Sequence, residues 1–220
     1  MTFDTLDILN KIGSQFVPFL FALCFHEFAH GWVAKLRGDS TAEMQGRLTM
    51  NPLAHMDFIG TFLLPMSVII FGLPIFFGWA KPVPVNPRNL KNPRTDMFWV
   101  ALAGPLSNVF LAVIATMFIF VIAHFGAGLL YAKPAVMLLS SFILINLFLA
   151  FFNMIPLNPL DGGKVLARFL PAHINYKLEQ NEQLTGMILL VLIFSGALAV
   201  LRYPVMATYQ FLIHISLGGL

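Results

Sequence analysis

The chain has 220 residues, 58% of them hydrophobic and only 10% charged, with 13 Lys and Arg against 10 Asp and Glu for a formal charge of +3. A soluble domain of this length needs about a quarter of its residues charged to solvate its surface, so the composition excludes one. With 23 Phe and a mean hydropathy of +0.81, it predicts helices whose outer faces meet lipid.

In chain order, the amino terminus MTFDTLDILNK is acidic and weakly amphipathic, with no basic region and no small-residue cleavage signal. The first apolar helix, from about Ile12 to Ala34, is therefore expected to be retained. A second apolar segment, about Phe58 to Trp79, is interrupted by Pro65, Gly72 and Pro74. Helices are expected from about Met97 to Phe125 and Ala135 to Ile155, with a short one from Gly163 to Leu170 and two more over about Leu184–Leu201 and Val205–Ile215.

Three loops are rich in basic residues: Lys35/Arg37/Arg47, Lys81/Arg88/Lys91/Arg94 and Lys164/Arg168/Lys177. Short loops of this kind report membrane orientation and are expected on the cytosolic side, which argues against nucleic acid as the partner. With all three on one side, the segment Phe58–Trp79 has cytosolic charge at both ends, so a single crossing does not satisfy it. A re-entrant hairpin bent at its Pro and Gly residues does, and a further full crossing is the alternative. The fold expected is an all-α polytopic membrane protein of about five to six transmembrane helices with a re-entrant segment. It forms one domain over 1–220, with a core at about 12–170 and C-terminal helices at about 184–215. Gln45–Met50 and Pro82–Val85 are expected as short membrane-associated strands able to pair with an extended peptide.

The first helix contains His26-Glu27-Phe28-Ala29-His30. At about 100° per residue the two histidines differ by about 40°, so both imidazoles leave one face a turn apart. Nitrogens at that spacing reach a single Zn²⁺. Glu27 stands beside them as a general base for water. Three ionisable side chains in an apolar helix are costly in a bilayer and need a function; a structural His–Glu–His hydrogen-bond cluster is the plain alternative. Cys24 projects from the opposite face and reads as packing. As the single cysteine, it rules out an intrachain disulfide and a multi-cysteine metal site.

A catalytic zinc takes three protein ligands and keeps one position open. Among the 10 acidic residues, Asp161 alone sits at a break in an apolar helix, in Asn158-Pro159-Leu160-Asp161-Gly162-Gly163. The proline lacks a backbone donor and the glycines allow unusual dihedrals, so the chain can unwind there and aim a carboxylate sideways. The alternative is an N-cap for the helix starting at Gly163. The unfinished site on the first helix favours ligation.

With these two motifs the chain resembles the site-two protease family of intramembrane zinc metalloproteases, in its compact bacterial branch without a PDZ domain. HEFAH matches the family's HExxH, NPLDGG its Asp-Gly motif, and Ala103-Gly104-Pro105-Leu106-Ser107-Asn108 the Gly-Pro motif of its middle core helix. The resemblance covers most of Phe16 to Leu170. It implies one Zn²⁺ per chain held by His26, His30 and Asp161, with Glu27 as general base. It also implies a transmembrane or membrane-embedded peptide as substrate, as in regulated cleavage of an anti-sigma factor or a signal-peptide remnant. The location implied is the bacterial inner membrane, multi-pass, with the active site toward the cytosol.

Asn153 resembles a family asparagine that positions substrate or stabilises the oxyanion; the alternative is a cap on its helix. Asn108 admits the same role, or a hydrogen bond between helices in lipid. His55 and Asp57 admit a second metal site, a gate or support for a ligand, and a loop hydrogen bond near the interface is the weightier reading. Two rivals from other classes are a divalent-cation transporter, which needs successive ligand sets along a pore and no special role for Glu27, and a lipid-directed membrane hydrolase, recognised by release of fatty acid or head group.

Overall fold

The computed structural model describes residues 5–71, 78–126, 128 and 130–218. Helix α1 (Thr5–Lys11) runs through a π-helical turn at Ile12–Phe16 into α2 (Val17–Leu36). Two single turns follow, α3 (Thr41–Met44) and α4 (Pro52–His55). A second π-helical stretch at Phe58–Leu63 leads into α5 (Leu64–Phe71). The long helices α6 (Pro93–Phe125) and α7 (Ala132–Asn153) come next, then α8 (Asp161–Ala167), α9 (Ala172–Gln180), α10 (Glu182–Phe194) and, after a 3₁₀ stretch at Ala197–Leu201, α11 (Arg202–Ser216). The polar helix α9 lies in what the sequence suggested was a connector.

Helix α6 is the axis of the molecule, packed against both α2 and α7, with α8 and α11 added to it. Its buried positions Ala101, Gly104, Asn108, Ala112, Ala115 and Ile119 recur every three or four residues, so they form one face of the helix. Most are small, and small residues let helix backbones approach closely without a large hydrophobic driving force in lipid. Ala112, Ala115 and Ile119 meet Ile143 and Leu147 of α7 and Val205 of α11 in one cluster, and Phe19, Ala22 and Leu23 of α2 meet Leu149 of α7 in another. The opposite face of α6 exposes Val109, Phe110, Val113, Met117 and Phe118, a stripe stable only against an apolar solvent.

Among the described residues, three helices are long and apolar enough to cross a bilayer: Ile8–Leu36, Pro93–Phe125 and Ala132–Asn153. A fourth span arises if Glu182–Phe194 and Ala197–Ser216, bent by 76°, are taken together. Among the described residues the protein is thus an all-α membrane protein with three to four such spans, fewer than the five to six expected. The difference has two causes. Gly196 has a φ of 76°, a left-handed conformation that glycine adopts without the Cβ penalty, and it ends α10 where the sequence suggested a helix continuing to Leu201. The apolar helix Phe58–Phe71 is about 21 Å long at about 1.5 Å per residue, short of the roughly 30 Å hydrocarbon layer. Trp79 N–H donates to Gly60 O at 3.1 Å and Thr61 Oγ1 donates to Trp79 O at 2.6 Å, so by Trp79 the chain has regained the level at which it stood at Gly60. Gly72 and Pro74, expected to make the bend, lie outside the described residues.

No strand forms among the described residues, so the expected strands at Gln45–Met50 and Pro82–Val85 are corrected. The backbone groups a strand would use are taken by other partners. Lys81 N–H donates to His55 O at 2.9 Å, Arg47 Nη2 donates to Lys81 O and Pro82 O at 2.9 and 3.3 Å, and Val83 N–H and Asn86 N–H donate to the carboxylates of Glu27 and Asp39. Pro82 and Pro84 have no N–H to offer. The segment 78–86 takes no regular secondary structure and is held at Trp79, Lys81, Pro82, Val83 and Asn86.

The three basic loops gather at one end of the bundle. Lys91 N–H donates to Arg37 O at 3.3 Å, and Arg94 Nη2 donates to Arg168 O at 3.1 Å and to Leu170 O at 2.5 Å.

Candidate metal centre

The C-terminal half of α2 carries His26, Glu27 and His30. One turn separates the histidines, so both rings leave the same face; they meet edge to face, 4.6 Å between centroids at 87°. That face is turned toward α6, where Gly104 lies against both rings. A Cβ there would collide with His30 Nε2, lie 2.5 Å from His30 Cε1 and come within 2.6 Å of His26 Cε1. Glycine leaves the space that the imidazoles occupy.

The third group arrives from the far end of α7. After Asn153 the chain makes a series of turns, with Leu157 N–H bonded to Ile155 O and Leu160 N–H to Leu157 O, before α8 begins at Asp161. These turns pack hard on the start of α8: a Cβ on Gly162 would strike the carbonyls of Ile155 and Met154, and one on Gly163 the Asn158 side chain. Helix α8 rests on α6, and the Asp161 carboxylate faces α2. Its Oδ2 lies 3.1 Å from His26 Nε2 and 3.2 Å from His30 Nε2, and the two Nε2 atoms are 3.0 Å apart. All three side chains are buried.

The proton positions explain what this triangle lacks. His30 Nδ1 lies 2.6 Å from Val100 O, a group that only accepts, so Nδ1 carries the proton. His26 Nδ1 lies 2.7 Å from Asn108 Oδ1. Asn108 Nδ2 donates to Ala22 O at 3.2 Å and to Asn146 Oδ1 at 2.8 Å, which leaves its oxygen facing His26 and makes His26 Nδ1 a donor too. With its proton on Nδ1, the neutral form of each imidazole presents the lone pair of Nε2 to the carboxylate, and Asp161 Oδ2 is buried with no hydrogen-bond partner assigned to it. Buried acceptors facing one another are costly unless a cation lies among them. A circle through the three atoms has a radius of about 1.8 Å, smaller than the roughly 2.0–2.2 Å of Zn–N and Zn–O bonds. His26, His30 and Asp161 would hold one ion at these spacings. Among the described residues, His26, His30 and Asp161 are the group close enough to share one ion, and two imidazoles with a carboxylate suit Zn²⁺.

Glu27 is buried next to this group. Its Oε2 accepts from Val83 N–H at 2.8 Å, and its second oxygen takes no hydrogen bond from the described residues. Asn153, at the end of α7, is half-buried and donates to Leu149 O at 3.0 Å, one of the two N–H bonds its amide carries. Asn108 does not offer a donor to substrate: its amide is fully buried and both acceptors named above hold its nitrogen. It sits behind His26 and bonds α6 to α2 and α7, the hydrogen bond between helices that the sequence allowed beside a substrate role.

His55 is buried on α4, with Nε2 donating to Thr49 O at 2.8 Å; it fastens its loop and does not join the three-residue group. Asp57 caps the following π-helical turn by accepting from Ile59 N–H and Gly60 N–H. Cys24 donates to Met50 O at 3.2 Å and stands apart from the group. Sequence reasoning did not single out Asn146. The signal available was a lone amide in the apolar run FILINLFLAFF, which in a lipid-depth helix demands a polar partner.

Residues 122–196 match the model of peptidase family M50. The chain is 37% identical over 193 residues to the candidate zinc metalloprotease YwhC of Bacillus subtilis, covering 86% of this chain and 84% of that protein. It is 35% identical over 164 residues to the candidate zinc metalloprotease MJ0611 of Methanocaldococcus jannaschii, covering 72% and 68%. It is 29% identical over 202 residues to the candidate zinc metalloprotease Rip2 of Mycolicibacterium smegmatis, covering 89% and 73%. No solved structure matches the chain.

Proposed function

The chain belongs to peptidase family M50, and on that premise we propose that this membrane zinc metalloprotease cuts peptide bonds within the bilayer, in or beside a transmembrane segment of another membrane protein. The observation that carries the reading is the buried triangle of His26 Nε2, His30 Nε2 and Asp161 Oδ2, with edges of 3.0 to 3.2 Å and Glu27 next to it on the same helix. Those three side chains are the zinc ligands and Glu27 is the general base.

Zinc in this site supplies a Lewis acid that polarises the scissile carbonyl and raises the acidity of the attacking water. Val83 N–H fixes one oxygen of the Glu27 carboxylate, so the other is the one that takes the proton as the water oxygen bonds to the carbonyl carbon. As the C–N bond breaks, Glu27 returns that proton to the leaving nitrogen. The second N–H of Asn153 is the donor assigned to the developing oxyanion. A helix must lose its own hydrogen bonds before a peptide bond enters such a site. An apolar cavity of about 550 Å³ lined by Phe19, Leu144, Phe148, Leu149 and Ile193 lies between α2, α7 and α10 and gives an apolar segment a place to rest.

The basic loops gathered at one end support a cytosolic placement for that end. The HEFAH stretch lies toward it, close to Lys35 and Arg37, so water reaches the site from the cytosol. The return of the chain from Gly60 to Trp79 supports a re-entrant segment in a bacterial inner membrane. Regulated intramembrane cleavage, of an anti-sigma factor or a signal-peptide remnant, is the role that fits such a site. The test is to incubate the purified protein, in detergent and in liposomes, with a panel of single-span peptides, with and without a zinc chelator. Products cut within the span that vanish with chelator and return with zinc are expected. Release of fatty acid or lipid head group in place of peptide cleavage would overturn the reading.

A further inference from the structure

Asn146 and Asn108 are fully buried (0% exposed) in two largely apolar helices. Their hydrogen bonds run in one direction. Asn146 Nδ2 donates to Phe142 O at 2.9 Å, Asn108 Nδ2 donates to Asn146 Oδ1 at 2.8 Å, and Asn108 Oδ1 accepts from His26 Nδ1 at 2.7 Å. We propose that Asn146 is a positioning residue of the metal centre, which through Asn108 locks His26 in the tautomer that leaves Nε2 free to bind zinc. The inference rests on the zinc-site reading above.

The physical problem is that an asparagine amide has nearly the same shape either way round. Turning it by half a revolution exchanges a carbonyl for an NH₂ group. A turned Asn108 would present N–H to His26 Nδ1. The imidazole proton would then belong on Nε2, and a protonated Nε2 has no lone pair for a metal. Two acceptors oppose the turn, Ala22 O and Asn146 Oδ1, because a turned Asn108 would set its oxygen against both. Asn146 is itself symmetric in shape, and the Phe142 carbonyl fixes its direction. Backbone carbonyls cannot be reversed, so the polarity starts at Phe142 on α7, crosses α6 at Asn108 and ends on α2 at His26. His30 receives the same tautomer by a shorter route, from Val100 O directly. Side-chain amides are needed only for His26.

A packing role alone, two amides bonding helices together in lipid, makes a different forecast. Replacing Asn146 by an apolar side chain would then leave metal binding alone, and a buried carboxylate there would be the harmful change. Tautomer control forecasts the reverse, since Asn146→Asp still accepts from Asn108 and Asn146→Leu does not.

The test uses the full-length purified protein, with zinc affinity measured by competition with a chromophoric chelator and His30→Ala as the reference for a lost ligand. Asn146→Leu is expected to weaken zinc about tenfold, the lower end for outer hydrogen bonds to a ligating histidine because Ala22 O still acts. Asn146→Asp is expected to stay within about threefold of the parent. Parent-like affinity in Asn146→Leu together with weakened zinc in Asn146→Asp overturns the proposal and leaves the zinc site standing. A second measurement needs no variant: ¹⁵N shifts of the His26 ring in the zinc-free parent are expected to report a proton on Nδ1. A proton on Nε2 overturns the proposal. A parent protein that binds no zinc overturns both this proposal and the ligand set beneath it.

Discussion

Adding one methyl group at Gly104 is a severe test of the donor triangle. An alanine Cβ would sit 2.5 Å from His30 Cε1 and 2.6 Å from His26 Cε1, and closer still to His30 Nε2. Ordinary contact requires about 3.4 Å or more, so the rings or α6 must give way by about 1 Å at the closest atom. Metal–ligand distances tolerate about 0.2 Å, so the rings cannot absorb the shift and keep both bonds. Overpacking of this kind costs about 1–3 kcal/mol. If the zinc-bound state alone bears it, the loss of affinity is about 5- to 150-fold, at about 1.4 kcal/mol per tenfold. Chelator competition on Gly104→Ala measures the loss, and the d–d spectrum of the cobalt-loaded protein reports whether the donor geometry has changed. Gly186→Ala is the control, since nothing lies within 4 Å of its added Cβ, and it should bind zinc as the parent does. Parent-like zinc affinity and an unchanged cobalt spectrum in Gly104→Ala would refute the packing argument.

Three further outcomes are expected. Glu27→Gln retains an acceptor for Val83 N–H, so it should keep stoichiometric zinc by metal analysis while kcat falls at least about 100-fold, the lower end for loss of a general base. Asp161→Asn replaces the charged donor and should weaken zinc by more than about tenfold, beyond the least effect of an outer-shell change, as read by competition with a chelator. For pH, the relevant group is Asp39 in the loop after α2. Burial pushes its carboxyl up, but hydrogen bonds from Thr41, Asn89 and Asn86 outweigh that and hold it below the usual carboxylate range. The ionised form is thus favoured in the folded state. Its stabilisation is complete above the ordinary value of about 3.9 and fades as pH falls through the lower folded value. Thermal melts should therefore drop below about pH 4, and Asp39→Asn should melt lower at neutral pH with a shallower acid dependence; an equally steep acid loss in that variant would count against the assignment.

The parts of the site that were legible in the sequence are those encoded by local spacing or by scarcity. His26 and His30 follow from the pitch of one helix. Asp161 stood out because an apolar chain has few carboxylates and only one sits at a Pro/Gly break. The bundle was legible from hydropathy, and the shared end of the basic loops from charge. What was hidden depends on contacts between distant segments. Gly104 gains its meaning from rings on another helix. Asn108 was read as a bond between helices or a substrate contact, and its partner across the bundle decides for neither alone: it bonds to α7 and orients a histidine at once. The expected strand at Pro82–Val85 is absent because side chains of Arg47 and Glu27 take backbone groups that a neighbouring strand would have used. The break in the C-terminal hairpin hung on a single glycine dihedral, at Gly196.

The donor triangle also sets an order on the protein's biosynthesis. Two of its corners leave the ribosome early, on α2, while the third lies past α7 and takes its place only when α8 settles on α6. A nascent chain therefore holds both imidazoles in the translocon with no carboxylate to complete them. The three donors come together only once α8 has docked on α6, so the metal centre is a product of the closed bundle and not of the first helix.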